Sequence, residues 1–354
     1  MKAGLGKLDG RTMKRFVFRN LGKSSEKVIL GPGIGLDNAV IAAGGKTVLI
    51  VTTDPVSIIP SIGARASAWM SVHLIASDFT TSGVGPEFAS FDFNFPPELS
   101  AQDQIVFLRE TSRACKEIGV SIVAGHTGSY PGGGFTVIGG GTMFGFAARG
   151  KYVDPTMARD GDLVVMTKGA GIEAATSLAN SFPEKTEDLV GRKLCNEARA
   201  LVGRCSTVKD ALAAADIGLG GGRVTSMHDA TEGGVLRGLA EMASASRHSI
   251  VISEHRIPRL KEASAVCTAF GIDPLSSLSE GTLLITVGPE RATDLVNRLE
   301  KEGIGAAMIG KVAKGAGLWR SEGVRGLKKI RLRPDPYWEV FARESGSKAG
   351  FTGG

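Results

Sequence analysis

Ser226-Met227-His228-Asp229-Ala230-Thr231-Glu232-Gly233-Gly234 follows an apolar, strand-like step from Arg223 to Met227 and runs into a helix expected to begin near Val235. A strand, an acid, two glycines and a helix start make a geometry suited to phosphate. The free N–H groups of a first helical turn attract phosphate oxygens. Glycine lets the backbone come close to a ligand. A carboxylate beside them holds a divalent cation that neutralises phosphate charge. A second stretch, Gly31-Pro32-Gly33-Ile34-Gly35-Leu36-Asp37-Asn38-Ala39-Val40, lies in the other half of the chain. The two read as serving one nucleotide chemistry from two domains.

The chain has 354 residues, enough for two ordinary domains. Its 42% apolar and 22% charged content is that of a folded protein, which excludes a disordered one. The 49 glycines gather at 31–45, 132–145, 218–222 and 233–238 and read as turns and phosphate loops. Net charge is +6, but the basic residues are scattered except at Lys2 to Arg19 and Lys328 to Arg333. Those two runs read as solvated termini. With few aromatics between them there is no stacking platform, so a nucleic-acid partner is disfavoured. Cys115, Cys195, Cys205 and Cys267 include no CxxC pair, which argues against zinc or an iron–sulfur cluster. Neither a secretory leader nor an apolar run of membrane-spanning length is evident, so no membrane is expected and a cytoplasmic, thiol-reduced setting is.

The strand Thr47–Thr53 is expected to end at Asp54-Pro55, and Asp78 to close a helix over Ser61–Ser77. Ala89, Phe91, Phe93 and Phe95 alternate with polar residues, the period of a strand with one apolar face. That face predicts a homodimer, because a small domain has little else to cover it. Ser100 caps an amphipathic helix with Ile105, Leu108, Ser112, Cys115 and Ile118 along one stripe, which places Cys115 in the core. Val120–Ala124 is a strand running into Gly125-His126-Thr127-Gly128. Composition shifts over 150–162. The division that follows is a lead-in at 1–30, a first domain at 31–150, a second at 160–315 and a C-terminal extension at 316–354.

Gly44-Gly45-Lys46-Thr47 lacks the earlier glycine of a P-loop and is followed by a strand, so it reads as a hairpin turn. Gly169-Ala170-Gly171-Ile172-Glu173-Ala174 fits a dinucleotide fingerprint, but the polar region Glu184 to Val190 offers no second strand. A simpler anion site at that helix start, helped by Lys168, is expected instead. Asp37, Asp54 and Asp78 each read singly as turn or cap residues. Together they are the carboxylate set that magnesium with a nucleotide requires. For His126 and His228 a satisfied polar role and a functional one both stand open.

Six stretches occur in an order that resembles one superfamily: residues 31–41, Thr53-Asp54-Pro55, Ala76-Ser77-Asp78-Phe79, Gly125-His126-Thr127, Met227 to Gly234 and Ser279-Glu280-Gly281-Thr282-Leu283-Leu284. It is the superfamily of aminoimidazole ribonucleotide (AIR) synthase (PurM), thiamine-monophosphate kinase, selenophosphate synthetase and the hydrogenase-maturation protein HypE. The nearest likeness is to HypE-like and AIR synthase-related proteins, over roughly residues 25–315. The resemblance implies a two-domain α+β fold, with a first domain that forms a β-barrel between the subunits of a homodimer and a second that is an α/β sandwich. It implies ATP and Mg2+ as cofactors, with Asp37, Asp54 and Asp78 holding the metal. Gly33, Gly35, His126, Thr127, Lys168, Gly233 and Gly234 would join them around the nucleotide. Asp229, His126 and Glu232 are then the candidates for chemistry at the acceptor, a small-molecule or protein-borne amide whose oxygen takes the γ-phosphoryl group. A small-molecule kinase with a basic pocket from Lys168 or Arg223, and a nucleotide-binding scaffold without turnover, are the alternatives. HypE proteins that make the nitrile ligand of hydrogenases end in a cysteine, whereas this sequence has none after Cys267. It also has Ala230 where a proline is usual in such proteins.

Overall fold

The hairpin expected at Gly44-Gly45 lies at the heart of the first sheet. Both glycines take positive φ, 110° and 55°, which a tight turn between two strands requires. The computed structural model describes residues 6–132, 134–323 and 326–346. A single helical turn, α1 (Gly10–Thr12), leads into β1 (Val28–Leu30), β2 (Ala39–Gly44) and β3 (Thr47–Ser57). With β4 (Phe88–Phe95), β5 (Ser121–Ser129) and β6 (Val137–Ala148) these make a six-stranded sheet in the order β1-β2-β3-β6-β4-β5. Only β4 and β5 run parallel.

Helices α2 (Gly63–Thr80) and α3 (Ala101–Glu117) pack together over this sheet. Here the expected dimer face is corrected. Ala89, Phe91, Phe93 and Phe95 are buried within the chain itself. Phe107 of α3 meets Phe93 and Phe95 edge-on, with centroids 5.6 and 5.9 Å apart. Helix α3 is rotated from the expected stripe. It buries Phe107, Glu110, Thr111, Ala114 and Cys115, while Ile105 is exposed. Glu110 sits on the buried face because Arg65 and Arg113 pair with it. Exposed apolar side chains lie instead on the edge strand β5, where Ile122 and Val123 are 46% and 53% exposed.

The second sheet comprises β7 (Leu163–Thr167), β8 (Val224–Ala230), β9 (Ser249–Ile252), β10 (Thr282–Val287), β11 (Ala306–Ala313), β12 (Gly317–Ser321) and β13 (Leu327–Lys329). Their order is β13-β12-β9-β11-β7-β10-β8. Strands β8, β9 and β10 are buried along their whole length, so this part of the sheet is covered on both faces even where β8 carries Thr225, Ser226, His228 and Asp229. Helices α4 (Ile172–Ser181), α5 (Pro183–Val190), α6 (Arg192–Ala200), α7 (Val208–Ala215), α8 (Gly234–Ser246), α9 (Lys261–Ala269) and α10 (Ala292–Lys301) complete this α+β architecture. The chain past residue 315 is not an appendage. Strands β12 and β13 extend the sheet, and Tyr337 and Val340 of α11 (Tyr337–Glu344) join a core with Ile172, Leu178 and Phe270.

The halves meet along α2. Met70 is buried in that same core, Ser77 Oγ accepts from Thr207 N at 2.9 Å, and His73 Nδ1 lies 2.8 Å from Ser206 Oγ. All four cysteines are buried. Among the described residues no helix is long and apolar enough to cross a membrane.

Candidate active site

Strand β8 runs further than expected, through His228, Asp229 and Ala230, because each pairs with β10. Asp229 therefore belongs to a strand, the last of its sheet, and not to a loop, and it is only 1% exposed. Neither of its carboxylate oxygens has a hydrogen-bond partner among the described residues. The same holds for one oxygen of Glu280, just before β10, and one of Glu173 in the first turn of α4.

The first domain brings its acids to the same place. Thr52 Oγ1 donates to the carbonyl of Asp37 at 2.7 Å, fixing the loop that carries it. The Asp37 carboxylate lies 2.7 Å from His228 Nδ1, and His228 Nε2 lies 3.2 Å from Glu241 on α8. Asp37, His228 and Asp229 each offer a ligand atom within 4.8 Å of one another. Asn38 Nδ2 donates to the Asp78 carbonyl and to Thr81 Oγ1, both at 2.8 Å, and so ties the Asp37 loop to the end of α2. Asp54 was expected to end its strand. Strand β3 instead continues to Ser57, with Asp54 facing Gly141 of β6. Asp78 lies in the last turn of α2, not beyond it.

Charge shows how closely these groups sit. Burial raises Asp54 to about 6 and Asp229 to about 7, with Asp37 adding to both. Burial, then Asp229, Asp54 and Asp37, holds Asp78 well above the carboxylate range. Glu280 is raised well above it by burial and by Asp229, Glu173 and Asp78. Burial lifts Glu173 to about 8. One ammonium answers this set. Burial alone would lower Lys7, but Asp78, Asp54, Glu280 and Asp229 outweigh it and raise it. Lys7 Nζ donates to Thr231 Oγ1 at 2.9 Å, and its backbone N–H reaches both oxygens of Glu232.

Other expected site residues are placed elsewhere. His126 and Thr127 are exposed on β5, three strand spacings from Asp54 across β6 and β4, about 14 Å. His126 Nε2 lies 2.6 Å from the Tyr130 hydroxyl. Glu232 accepts from the Lys7 N–H and from Trp338 Nε1 at 3.2 Å, so its carboxylate already ties the segment at Lys7 to α11. The Gly233 N–H is taken by Asp335 at 2.7 Å and the Gly234 N–H by the Thr231 carbonyl at 3.0 Å, so neither waits for a phosphate. Lys168 is no anion donor: its ammonium bonds the Ser206 and Gly281 carbonyls and pairs with Asp210 at 2.9 Å. Gly35 serves packing, since a Cβ there would lie 2.7 Å from that of Glu241; Gly33 is closed over by Leu36 in the same way.

Sequence reasoning gave no role to Lys7, Glu173, Glu241 or Glu280. Glu280 had a signal, standing inside the Ser279–Leu284 stretch. Glu173 hid within a rejected fingerprint. Lys7 carried none, because a lone lysine in a basic lead-in looks solvated.

The AIR synthase related protein family matches the chain twice, its N-terminal domain over residues 35–147 and its C-terminal domain over 159–319. The carbamoyl dehydratase HypE of Rhizobium leguminosarum bv. viciae is 29% identical over 284 residues, covering 78% of this chain and 76% of the relative. HypE solved in its complex with HypF superposes with a TM-score of 0.72 at 19% identity, covering 92% of this chain and all of that one. The hydrogenase maturation protein HypE solved with ATP superposes with a TM-score of 0.65 at 20% identity, covering 94% and 97%. Two matched domains in sequence and one shared fold lead to a single assignment: the chain belongs to the AIR synthase related protein family and within it is similar to the HypE hydrogenase-maturation proteins.

Proposed function

We propose that the chain is an ATP- and magnesium-dependent enzyme of the HypE-like type, which phosphorylates the oxygen of an amide or carbonyl acceptor. The observation that carries this is the meeting of Asp37 from the first domain with His228 and Asp229 from the second, their ligand atoms within 4.8 Å of one another, with Asp54, Asp78 and Glu280 near enough to Asp229 to raise one another. Buried carboxylate oxygens without donors are costly unless a cation joins them. Asp229, Glu173 and Glu280 each keep at least one such oxygen. Apart from His228, which is already held by Asp37 and Glu241, the donors are hard carboxylate oxygens, and these suit magnesium. Magnesium would supply charge neutralisation at the phosphate oxygens. The HypE relatives, one named a carbamoyl dehydratase and one solved with ATP, support the nucleotide and the reaction class.

In this reading Asp37, Asp54, Asp78 and Asp229 hold the ion, and Lys7 adds positive charge beside the triphosphate. The acceptor oxygen bonds to the γ-phosphorus as the bond to ADP breaks. For a primary amide, loss of phosphate with that oxygen and of both N–H protons leaves a nitrile. Cys115, Cys195, Cys205 and Cys267 are all buried, so none of them presents a thiol to carry the acceptor, which in this reading is a small molecule or is borne by a protein. The kinase alternative loses its basic pocket, because Lys168 is saturated and the Arg223 guanidinium bonds the Leu219 and Gly220 carbonyls. A homodimer through β5, whose Ile122 and Val123 are exposed on an edge strand, completes the proposal.

Phosphate release from ATP, with magnesium and a panel of primary amides, tests the proposal. Release that depends on both the metal and an amide is expected. ATP binding with no release under any of these conditions would leave a nucleotide-binding scaffold.

A further inference from the structure

The basic run Lys328 to Arg333 was expected to be a solvated end. Its cations are indeed exposed, but the segment is folded: with the first turn of α8 and the 271–276 turn, β13 and the residues after it line an open cavity of about 770 Å³. Arg320, Lys328, Lys329, Arg331 and Arg333 line it, against one acid, Asp273. That acid already caps Leu275 N at 3.0 Å. Among the described residues only Arg320 of the five has a carboxylate partner, Glu254. Arg320 Nε is buried and has no acceptor. Leu236, Ile330, Leu332 and Pro336 supply an apolar side to the same cavity. The family match ends at residue 319, so all five cations lie beyond it.

Among the described residues, four cations without carboxylate partners line one open concavity, Lys329 with its ammonium over the Trp319 ring, and raise the local potential for anions. Guanidinium forks match phosphate oxygens two at a time. The volume falls within the range of about 300–1,000 Å³ usual for small-molecule sites. The wall is fixed in place, because Asp335 between two lining prolines bonds Gly233 N, Ser277 Oγ and Tyr337 N at 2.7–2.9 Å.

We propose that this cavity binds a small molecule carrying phosphate on a partly apolar body, at a site separate from the acid cluster and independent of the activity proposed above. The test uses the whole protein in EDTA, where the acid cluster has no metal and repels anions. Calorimetric titration with phenyl phosphate and with pyrophosphate is expected to give one site with Kd of about a millimolar or tighter. Arg331→Gln with Arg333→Gln, both on exposed residues, is expected to weaken it about tenfold or more with an unchanged melting temperature, and Asp54→Asn to leave it unchanged. Should the double variant unfold, Lys328→Ala alone is to show a smaller loss in the same direction. Absence of binding in EDTA by either probe, or equal binding by wild type and variants, overturns the site. Citrate binding as tightly as the phosphates overturns the phosphate assignment, and a short RNA displacing phenyl phosphate at far lower concentration overturns the small-molecule one.

Discussion

Asp37 Oδ2 and His228 Nδ1 lie 2.7 Å apart although 191 residues separate them in sequence. The contact joins the loop before β2 in the first domain to the end of β8 in the second. Burial alone would lower the imidazole, but Asp37 and then Glu241 outweigh it and raise His228 well above its ordinary range. The two carboxylates thus favour the protonated ring. It fixes Asp37 beside Asp229 and holds the two domains in register at the point where the acids gather.

Asp78→Asn should weaken magnesium–ATP binding by about tenfold or more, the loss of one charged ligand. The same change should leave metal-free stability equal or higher, since burial and the neighbouring acids already oppose ionisation of Asp78 and a neutral amide loses nothing there. Calorimetry with a parallel melting curve checks both. An unchanged affinity removes Asp78 from the site.

Stability without metal should fall as pH rises. Asp54, Asp229 and Glu173 titrate at about 6, 7 and 8 in the folded chain, above their unfolded values, chiefly through burial. The native state thus binds more protons than the unfolded one across this window. The contribution is present at low pH and is lost as pH climbs through those values. Magnesium binds the ionised form, so it should raise the melting temperature more at about pH 8.5 than at about pH 5.5. Equal magnesium stabilisation at both would contradict the assignment.

Lys7→Met should tighten magnesium binding in the absence of nucleotide by about tenfold, because the ammonium competes for the same carboxylates. ATP turnover should fall in the same variant, since a charge beside the triphosphate is gone. Metal affinity that stays the same would place Lys7 outside the cluster.

Phe107→Ala should cost about 3–5 kcal/mol in a denaturant titration, as expected for a fully buried ring wedged against Phe93 and Phe95. A loss below about 1 kcal/mol would mean that this face is open. Ile122→Glu, on the exposed edge strand, should instead leave stability nearly unchanged and convert a dimer to monomer by light scattering.

The expected features that hold are the local ones. The Gly44-Gly45 turn, the strand period around Phe91 and the helix start near Gly234 follow from backbone preference and from the alternation of apolar residues, which neighbours in sequence decide. The readings that needed distance fared differently. Ile105 and Phe107 each begin a stripe of helical period, and only the sheet beneath α3 chooses between them. Lys168 and Gly233 looked free because their partners, Asp210 and Asp335, lie 42 and 102 residues further along. Lys7 showed no sign of its role, since its four acids come from four separate places in the chain.

By itself the sequence determined the α+β class and the family, and singled out Asp37, Asp54, Asp78 and Asp229 as candidates, because these are written in periodicity and in short local motifs. Only the tertiary structure decided which charges meet: that Lys7 and His228 answer the acids, that Glu232 and Lys168 are already satisfied, and that Lys328 to Arg333 wall a cavity. The physical reason is that charge acts through space and through burial, and the chain order records neither.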